Sequence, residues 1–357
     1  MKVAEGQVGA EALDLFARVF GAERSFRDEY PLLFDCDGAD SLVWAEEGGV
    51  TLSACGIQTR ELVVPGERLR VGLIGSVATD PAARGQGLAG HVLTRAEQVL
   101  RGRACLFSLL WADDPAFYEP RGYRLVGRET DFVIDPGRRE LLPLARGVRA
   151  AQTQDRDAIH GLYSAHPARV DRSPAETSAL LSTPGMVVLV RGAPGAVTAY
   201  LCLGRGDDLQ GVIHEWGGPS QDVLALVGAC LDDHLHGAQV LFLMAGPGER
   251  NLKNTLDALG FESAEGCLGM ARLLDAQGAA LLAERRVGRD LAVSCVSDGS
   301  LELRGPRASE RIAAEEFLTL LLPVKGERRA HWELGQRLGV DLSALALEPF
   351  LWGLDSI

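Results

Sequence analysis

At 357 residues, with 46% hydrophobic and 24% charged side chains, the chain has the make-up of a globular protein with room for more than one domain of ~150 residues. Its formal charge of −13 excludes electrostatic binding to nucleic acid or to an anionic membrane, which needs clustered positive charge, and suits a cationic substrate. Seven scattered cysteines without a C-x-x-C pair, no cationic and apolar leader over Met1 to Ala22, and no apolar run near the ~20 residues of a membrane span predict a cytoplasmic protein with reduced thiols.

In chain order, Leu13, Phe16, Ala17 and Phe20 fall on one face of a helix over Ala10–Phe20. Ser41–Ala45, Thr51–Val64 and Leu69–Thr79, separated by the turns "EEGG" and "VPGER", read as an antiparallel meander, because parallel neighbours need long crossovers. A helix over Leu88–Arg101 is followed by an apolar strand, Ala104–Trp111, and then by "FYEPRGYR". "DPGRRELLPLARG" (Asp135–Gly147) reads as a linker. After it the order repeats: a helix over Asp155–Ser164, strands near Met186–Val190 and Val197–Leu203, "GVIHEWGG", a helix over Val223–Leu235, then "QVLFLMAG" and "LDALGFES". The remainder, about Arg272–Ile357, has a helix over Ala276–Arg285, a strand pair around "SDGS", a helix over Ala308–Leu322 and an apolar tail, "PFLWGLDSI". Free termini are commonly frayed and polar, so an apolar one has to be buried somewhere.

The chemistry concentrates in "RGQGLAG", Arg84–Gly90, which parses in two ways. From Gly85 it is G-x-G-x-x-G, a dinucleotide fingerprint with Asp113 downstream as a ribose acceptor. That fingerprint puts its first glycine directly after a strand, whereas "DPAAR" intervenes here, and a meander stands where parallel units would be needed. A P-loop fails for want of the lysine and Ser/Thr pair. From Arg84 the string is R-x-x-G-x-A, an acyl-coenzyme-A loop. In that parse Arg84, Gly85, Gln86, Gly87, Leu88 and Ala89 wrap a pyrophosphate with successive amides, and the following helix turns its positive end to the anion. A bare surface turn is the bland alternative. No repeat of the loop comes after "HEWGG", so the second unit is expected to have lost its phosphate site.

Together "VATDPAARGQGLAGHVL" and "DDPAFYEPRGYR" resemble the paired signature motifs of the GNAT acetyltransferases over about Leu69–Arg124. The whole layout resembles the Eis-type members, which carry tandem GNAT folds and a C-terminal part similar to sterol carrier proteins. The resemblance implies an α+β (mixed α/β) protein: a GNAT domain over 1–140, a degenerate one over 148–272, and a small third domain over 273–357. Each GNAT fold would be a mixed, mostly antiparallel sheet flanked by helices. It implies acetyl-CoA as co-substrate, no metal, a small-molecule or peptide amine as acceptor, and assembly into homo-oligomers. By position, Val77, Ala78 and Thr79 would meet the pantetheine arm, and a backbone N–H there would stabilise the oxyanion. Asp114 counts with the cofactor contacts, and Tyr118 would protonate the departing thiolate. The terminal carboxylate of Ile357 would serve as base, as in Eis-type enzymes. A non-catalytic acyl-CoA binder and an NAD(P)-dependent oxidoreductase are the rival readings.

Other acids and imidazoles read as structural. Asp80 shapes the turn before the loop, and His214 and Glu215 sit at a strand end with no phosphate loop to serve. "DDHLH" lacks converging metal ligands, and Asp35 and Asp37 fall on the acceptor side, where simple exposure is the alternative.

Overall fold

The computed structural model describes residues 2–7, 9–21, 26–34, 42–206, 209–233, 239–324 and 328–357. Asp35, Asp37, His234 and His236 lie outside them. The first half of the chain supplies β1 (Lys2–Gly6), β2 (Leu42–Glu47), β3 (Val50–Val64), β4 (Glu67–Thr79), β5 (Phe107–Leu110) and β6 (Arg124–Val126). Next come β7 (Glu129–Ile134), β8 (Val148–Ala150), β9 (Arg169–Val170), β10 (Val187–Ala193), β11 (Ala196–Leu203), β12 (Val212–Gly217), β13 (Leu241–Ala245), β14 (Ser263–Gly266) and β15 (Gly269–Leu273). A final hairpin and its neighbour are β16 (Ala292–Cys295), β17 (Leu301–Arg304) and β18 (Ser309–Ile312).

The first sheet runs β1-β2-β3-β4-β5-β15-β6, with β9 against β3; the second runs β8-β10-β11-β12-β13-β7-β14. Position for position the two match from their second strands onward, and each contains one parallel pair, β4 with β5 and β12 with β13. The fold is α+β, two mixed and mostly antiparallel sheets flanked by helices, so the sheets are not the parallel doubly wound array that a dinucleotide fingerprint requires. The meander formed as expected, because "EEGG" and "VPGER" close tight turns between amphipathic strands.

One topological feature is invisible to composition. β7 comes directly after β6 yet joins the second sheet, and β15 comes after β14 yet returns to the first, so the chain crosses at Gly127–Arg128 and again at Cys267–Leu268. Limits drawn at 140 and 272 leave β7 in the first unit and β15 in the second, although each pairs with the other unit's sheet. A second difference lies at the end: the segment expected to open a helix at Ala308 is β18, paired to β17, and the helix runs only Ala314–Leu321. Ser309–Ile312 has a two-residue alternation that a neighbouring strand can use.

The core explains the tail. Phe350, Leu351, Trp352 and Leu354 are buried in one apolar cluster that continues from β12 and β13 into the helix Ala276–Val287. Burying side chains of this size is worth about 1.5–3 kcal/mol each, so the end of the chain is pinned to the second sheet rather than frayed.

Candidate active site

β4 and β5 pair only at Gly72↔Ser108 and Leu73↔Leu109 and then diverge; beyond Leu73 no strand among the described residues pairs with that edge of β4. On its other edge β4 bulges: Ala78 faces Ala54 and Gly75 faces Gly56, so Ser76 and Val77 together oppose Cys55, and Ser76 takes φ 50°. The bulge re-aims the backbone into the opening. Ser53 Oγ secures the end of the strand, donating to Ala78 O at 2.9 Å.

The loop beyond is built from local chemistry. Asp80 accepts from Ala82 N at 3.0 Å and caps the short turn Pro81–Ala83, the structural role expected of it. Gly85 and Gly87 take φ of 77° and 76°, a region costly to any residue with a Cβ, and both have open space where a Cβ would stand. Gly87 is the N-cap of the helix Leu88–Gly102 with no side-chain cap, so the first amides of that helix keep their donors for an incoming anion.

On the opposite wall, Asp114 spends its carboxylate on Ala116 N at 3.1 Å, capping the turn Pro115–Tyr118 that carries the tyrosine. The Tyr118 ring stands edge-on to Phe117 and Tyr123 at 4.9 and 5.8 Å. Burial pushes its phenol up to about 12, and nearby Cys55 adds to this, so the hydroxyl keeps its proton at neutral pH.

The chain terminus reaches the same place. A Cβ on Gly75 would collide with the terminal carbonyl group of Ile357, so that group lies directly over the bulged strand. Arg205 guides it there: Nη1 donates to Gly353 O at 2.6 Å, to Ser356 O at 3.2 Å and to Ser356 Oγ at 3.1 Å, while Nη2 donates to Glu29 O at 2.8 Å. The Arg205 guanidinium also lies 4.4 Å from the centre of the Tyr30 ring.

These parts enclose one cavity of about 1160 Å³, large enough for a drug-sized ligand. Every site residue expected from the sequence lines it except Ala78, whose side chain is buried, and Gln86, which is exposed on the loop. The far wall comes from the second sheet, which sequence reasoning missed. On β7, Thr130, Phe132 and Ile134 are buried, and Glu129 and Asp131 face the cavity instead. Burial and the neighbouring Asp131 carboxylate push Glu129 up to about 8, and burial raises Asp131 as well. Alternation in "ETDFVI" marks a half-buried strand, but only the crossing between sheets says which site its acids face.

His214 and Glu215 belong to the interior. Burial drives the His214 imidazole down to about 3, and Glu215 is held by Arg172. Among the described residues no group of three His, Cys, Asp or Glu could hold a metal ion, and no helix is long and apolar enough to cross a membrane.

Residues 5–126 match the family model of the acetyltransferase (GNAT) domain, which spans the bulged strand, the glycine loop and Tyr118. The first unit is a GNAT acetyltransferase domain. Solved structures extend the likeness in fold to the whole chain. A probable N-acyltransferase from Enterococcus faecalis V583 has 15% identity and a TM-score of 0.73, with 100% of this chain and 99% of that one covered. A GCN5-related N-acetyltransferase from Kribbella flavida has 16% identity and a TM-score of 0.65, with 100% of both chains covered. Eis1 from Mycobacterium abscessus has 18% identity and a TM-score of 0.60, with 98% of this chain and 99% of that one covered. No curated protein matches the sequence. The GNAT domain makes acyl transfer the class of activity to be explained.

Proposed function

We propose that the protein is an N-acetyltransferase that moves an acetyl group from acetyl-CoA to a primary amine by direct attack. The observation that carries this reading is the meeting of the uncapped glycine loop, Tyr118 and the Ile357 terminus in a single cavity. The amides of Gly85 to Ala89 and the Arg84 guanidinium would hold the pyrophosphate, and the free edge of β4 from Val77 to Thr79 would take the pantetheine arm.

In the transfer, an ammonium gives its proton to the Ile357 carboxylate, and the freed nitrogen attacks the thioester carbonyl carbon. The carbon–sulfur bond then breaks, the thiolate takes the Tyr118 phenolic proton, and the second proton shed by the new amide nitrogen returns through solvent to the Tyr118 oxygen, leaving a neutral amide, a free thiol and the phenol restored. A phenol near 12 keeps its proton until the sulfur anion forms; because it is a weaker acid than a thiol, it gives that proton up only as the proton from the amide nitrogen replaces it. A cationic acceptor is supported by Glu129 and Asp131, two carboxylates in the cavity wall that burial raises and that an arriving ammonium would relieve. Aminoglycoside-like compounds, polyamines and lysine side chains all present such an amine, and a cytoplasmic setting would supply acetyl-CoA. The test is thiol release from acetyl-CoA over an amine library: release with at least one amine supports the reading, while acetyl-CoA binding without release from any of them overturns it.

A further inference from the structure

The second sheet repeats the divergence of the first. β12 and β13 pair only at Val212↔Phe242 and Ile213↔Leu243, after which His214 to Gly217 leave β13. Here the opening is filled from within. Trp216 Nε1 spans it to Met244 O at 2.9 Å, Trp352 stands edge-on to Trp216 at 5.3 Å, and Phe350 stands edge-on to Trp352 at 4.9 Å. Gly353 lies on His214, and Phe350 on Gly246. The slot that in the first unit opens onto the cavity is in the second unit the seat of the chain's own tail.

Beneath that seat lies a polar cluster out of contact with water. Arg172 donates through Nε to Asp355 Oδ1 at 2.7 Å and through Nη2 and Nη1 to the two Glu215 oxygens at 2.7 and 3.2 Å. Tyr163 donates to Asp355 Oδ2 at 2.8 Å, and Tyr200 to Glu215 Oε1 at 3.1 Å. The Arg172, Glu215 and Asp355 side chains are at most 1% exposed. Apolar packing already buries the tail, and a buried ion cluster adds little stability beyond it, since desolvation consumes most of the attraction. What the cluster adds is direction: a planar guanidinium fixes both the place and the angle of the carboxylate it holds.

We infer that Arg172 and Asp355, in the core of the second unit, are positioning residues for the transfer in the first, clamping the tail so that the Ile357 carboxylate stands over Gly75. The inference rests on the reading of that carboxylate as the base. Two residues beyond Asp355 span at most ~7 Å, so an anchored Asp355 leaves the terminus little room to wander, and Arg205 takes up the slack at Ser356. The unit without a phosphate loop thereby acts on the chemistry of the other.

The test uses the full chain. Asp355→Asn keeps the size of the side chain and removes its charge; Arg172→Met removes the clamp, and Arg172→Lys restores a single positive charge. The expected result for Asp355→Asn is a kcat lowered by about tenfold or more with KM for acetyl-CoA within about twofold, the effect of a displaced catalytic group. Arg172→Lys should recover part of what Arg172→Met loses, and carboxypeptidase should release Ile357 faster from Asp355→Asn than from the wild type. An enzyme extended by two alanines after Ile357 separates the two ideas. Should the extension leave turnover intact, the base reading fails and this inference with it. Should the extension stop turnover while Asp355→Asn keeps wild-type kcat and a protected tail, the clamp alone is refuted. Asp355→Asn decides the matter even where Arg172→Met does not fold.

Discussion

β4 and β5 part after Leu73, and β12 and β13 part after Leu243, at equivalent places in two matching sheets. The connections that leave β4 and β12 differ. After β4 the chain takes the long turn through Asp80, Arg84, Gly85 and Gly87 before its helix; after β12 only Gly218 and Pro219 precede the helix Ser220–Asp233. The first arrangement leaves amides at the helix start without side-chain partners, and the second fills its opening with Trp216 and the tail. A binding site in this frame is thus a set of backbone groups the protein has declined to satisfy itself, and sealing is the cheaper outcome wherever a ligand is not required.

The contrast between the open and the sealed slot can be broken at several points. The largest expected effect is that of the two-alanine extension after Ile357, which replaces the terminal carboxylate by a peptide carbonyl: turnover should fall by about 10²–10⁴-fold, as for loss of a general base, with acetyl-CoA binding by calorimetry retained. Tyr118→Phe should lower kcat by roughly 10- to 100-fold while leaving acetyl-CoA affinity in place, and unchanged turnover would remove the phenol from the reaction. Gly87→Val forces a branched side chain into φ 76° at the helix start and should weaken acetyl-CoA binding by about tenfold or more; a matching loss of affinity is not expected at Gly218.

The smallest effect expected is at Glu129, where Glu129→Gln should raise KM for a cationic amine severalfold. The same carboxyl gives a pH signature. Its folded pKa of about 8 lies above the ordinary 4.5, so the folded state holds that proton more tightly than the unfolded state does. The associated stability is complete below about pH 4.5 and is lost as pH rises through about 8, on the order of 1–2 kcal/mol once contact with cavity water is allowed for. Thermal melts of the wild type should therefore lose more Tm between about pH 5 and 9 than those of Glu129→Gln. Parallel slopes would show that Glu129 ionises normally.

Much of the lining of the candidate site was legible in the residues themselves, for definite reasons. The loop and Tyr118 could be read because their chemistry is local: two glycines in a left-handed conformation, a proline-stiffened turn and an aspartate cap are each fixed by neighbours in sequence. Burial of "PFLWGLDSI" was implied by its apolarity. Glu129, Asp131, Arg172 and Arg205 were not legible beside the cavity, because strand pairing at long range brings β7 and its two acids there, and Arg172 and Arg205 meet the tail through side-chain contacts with residues far along the chain. Gly75 was open to notice, since glycine inside a strand often marks the close approach of another group, but nothing local says the group is Ile357.

The exchange of β7 and β15 bears on how the molecule is made. During synthesis from the N-terminus, β6 is an isolated edge until Gly269–Leu273 arrives to insert between it and β5. The first sheet is therefore incomplete until residue 273 of 357 has emerged, by which time the second sheet has all its strands. A fragment ending at Val126, the limit of the family match, would carry the glycine loop and Tyr118 on a sheet with an empty slot. Neither half is a separable cassette: of the two large sheets, the one that carries the glycine loop and Tyr118 is the later to close, and it closes only with a strand made after the whole of the other.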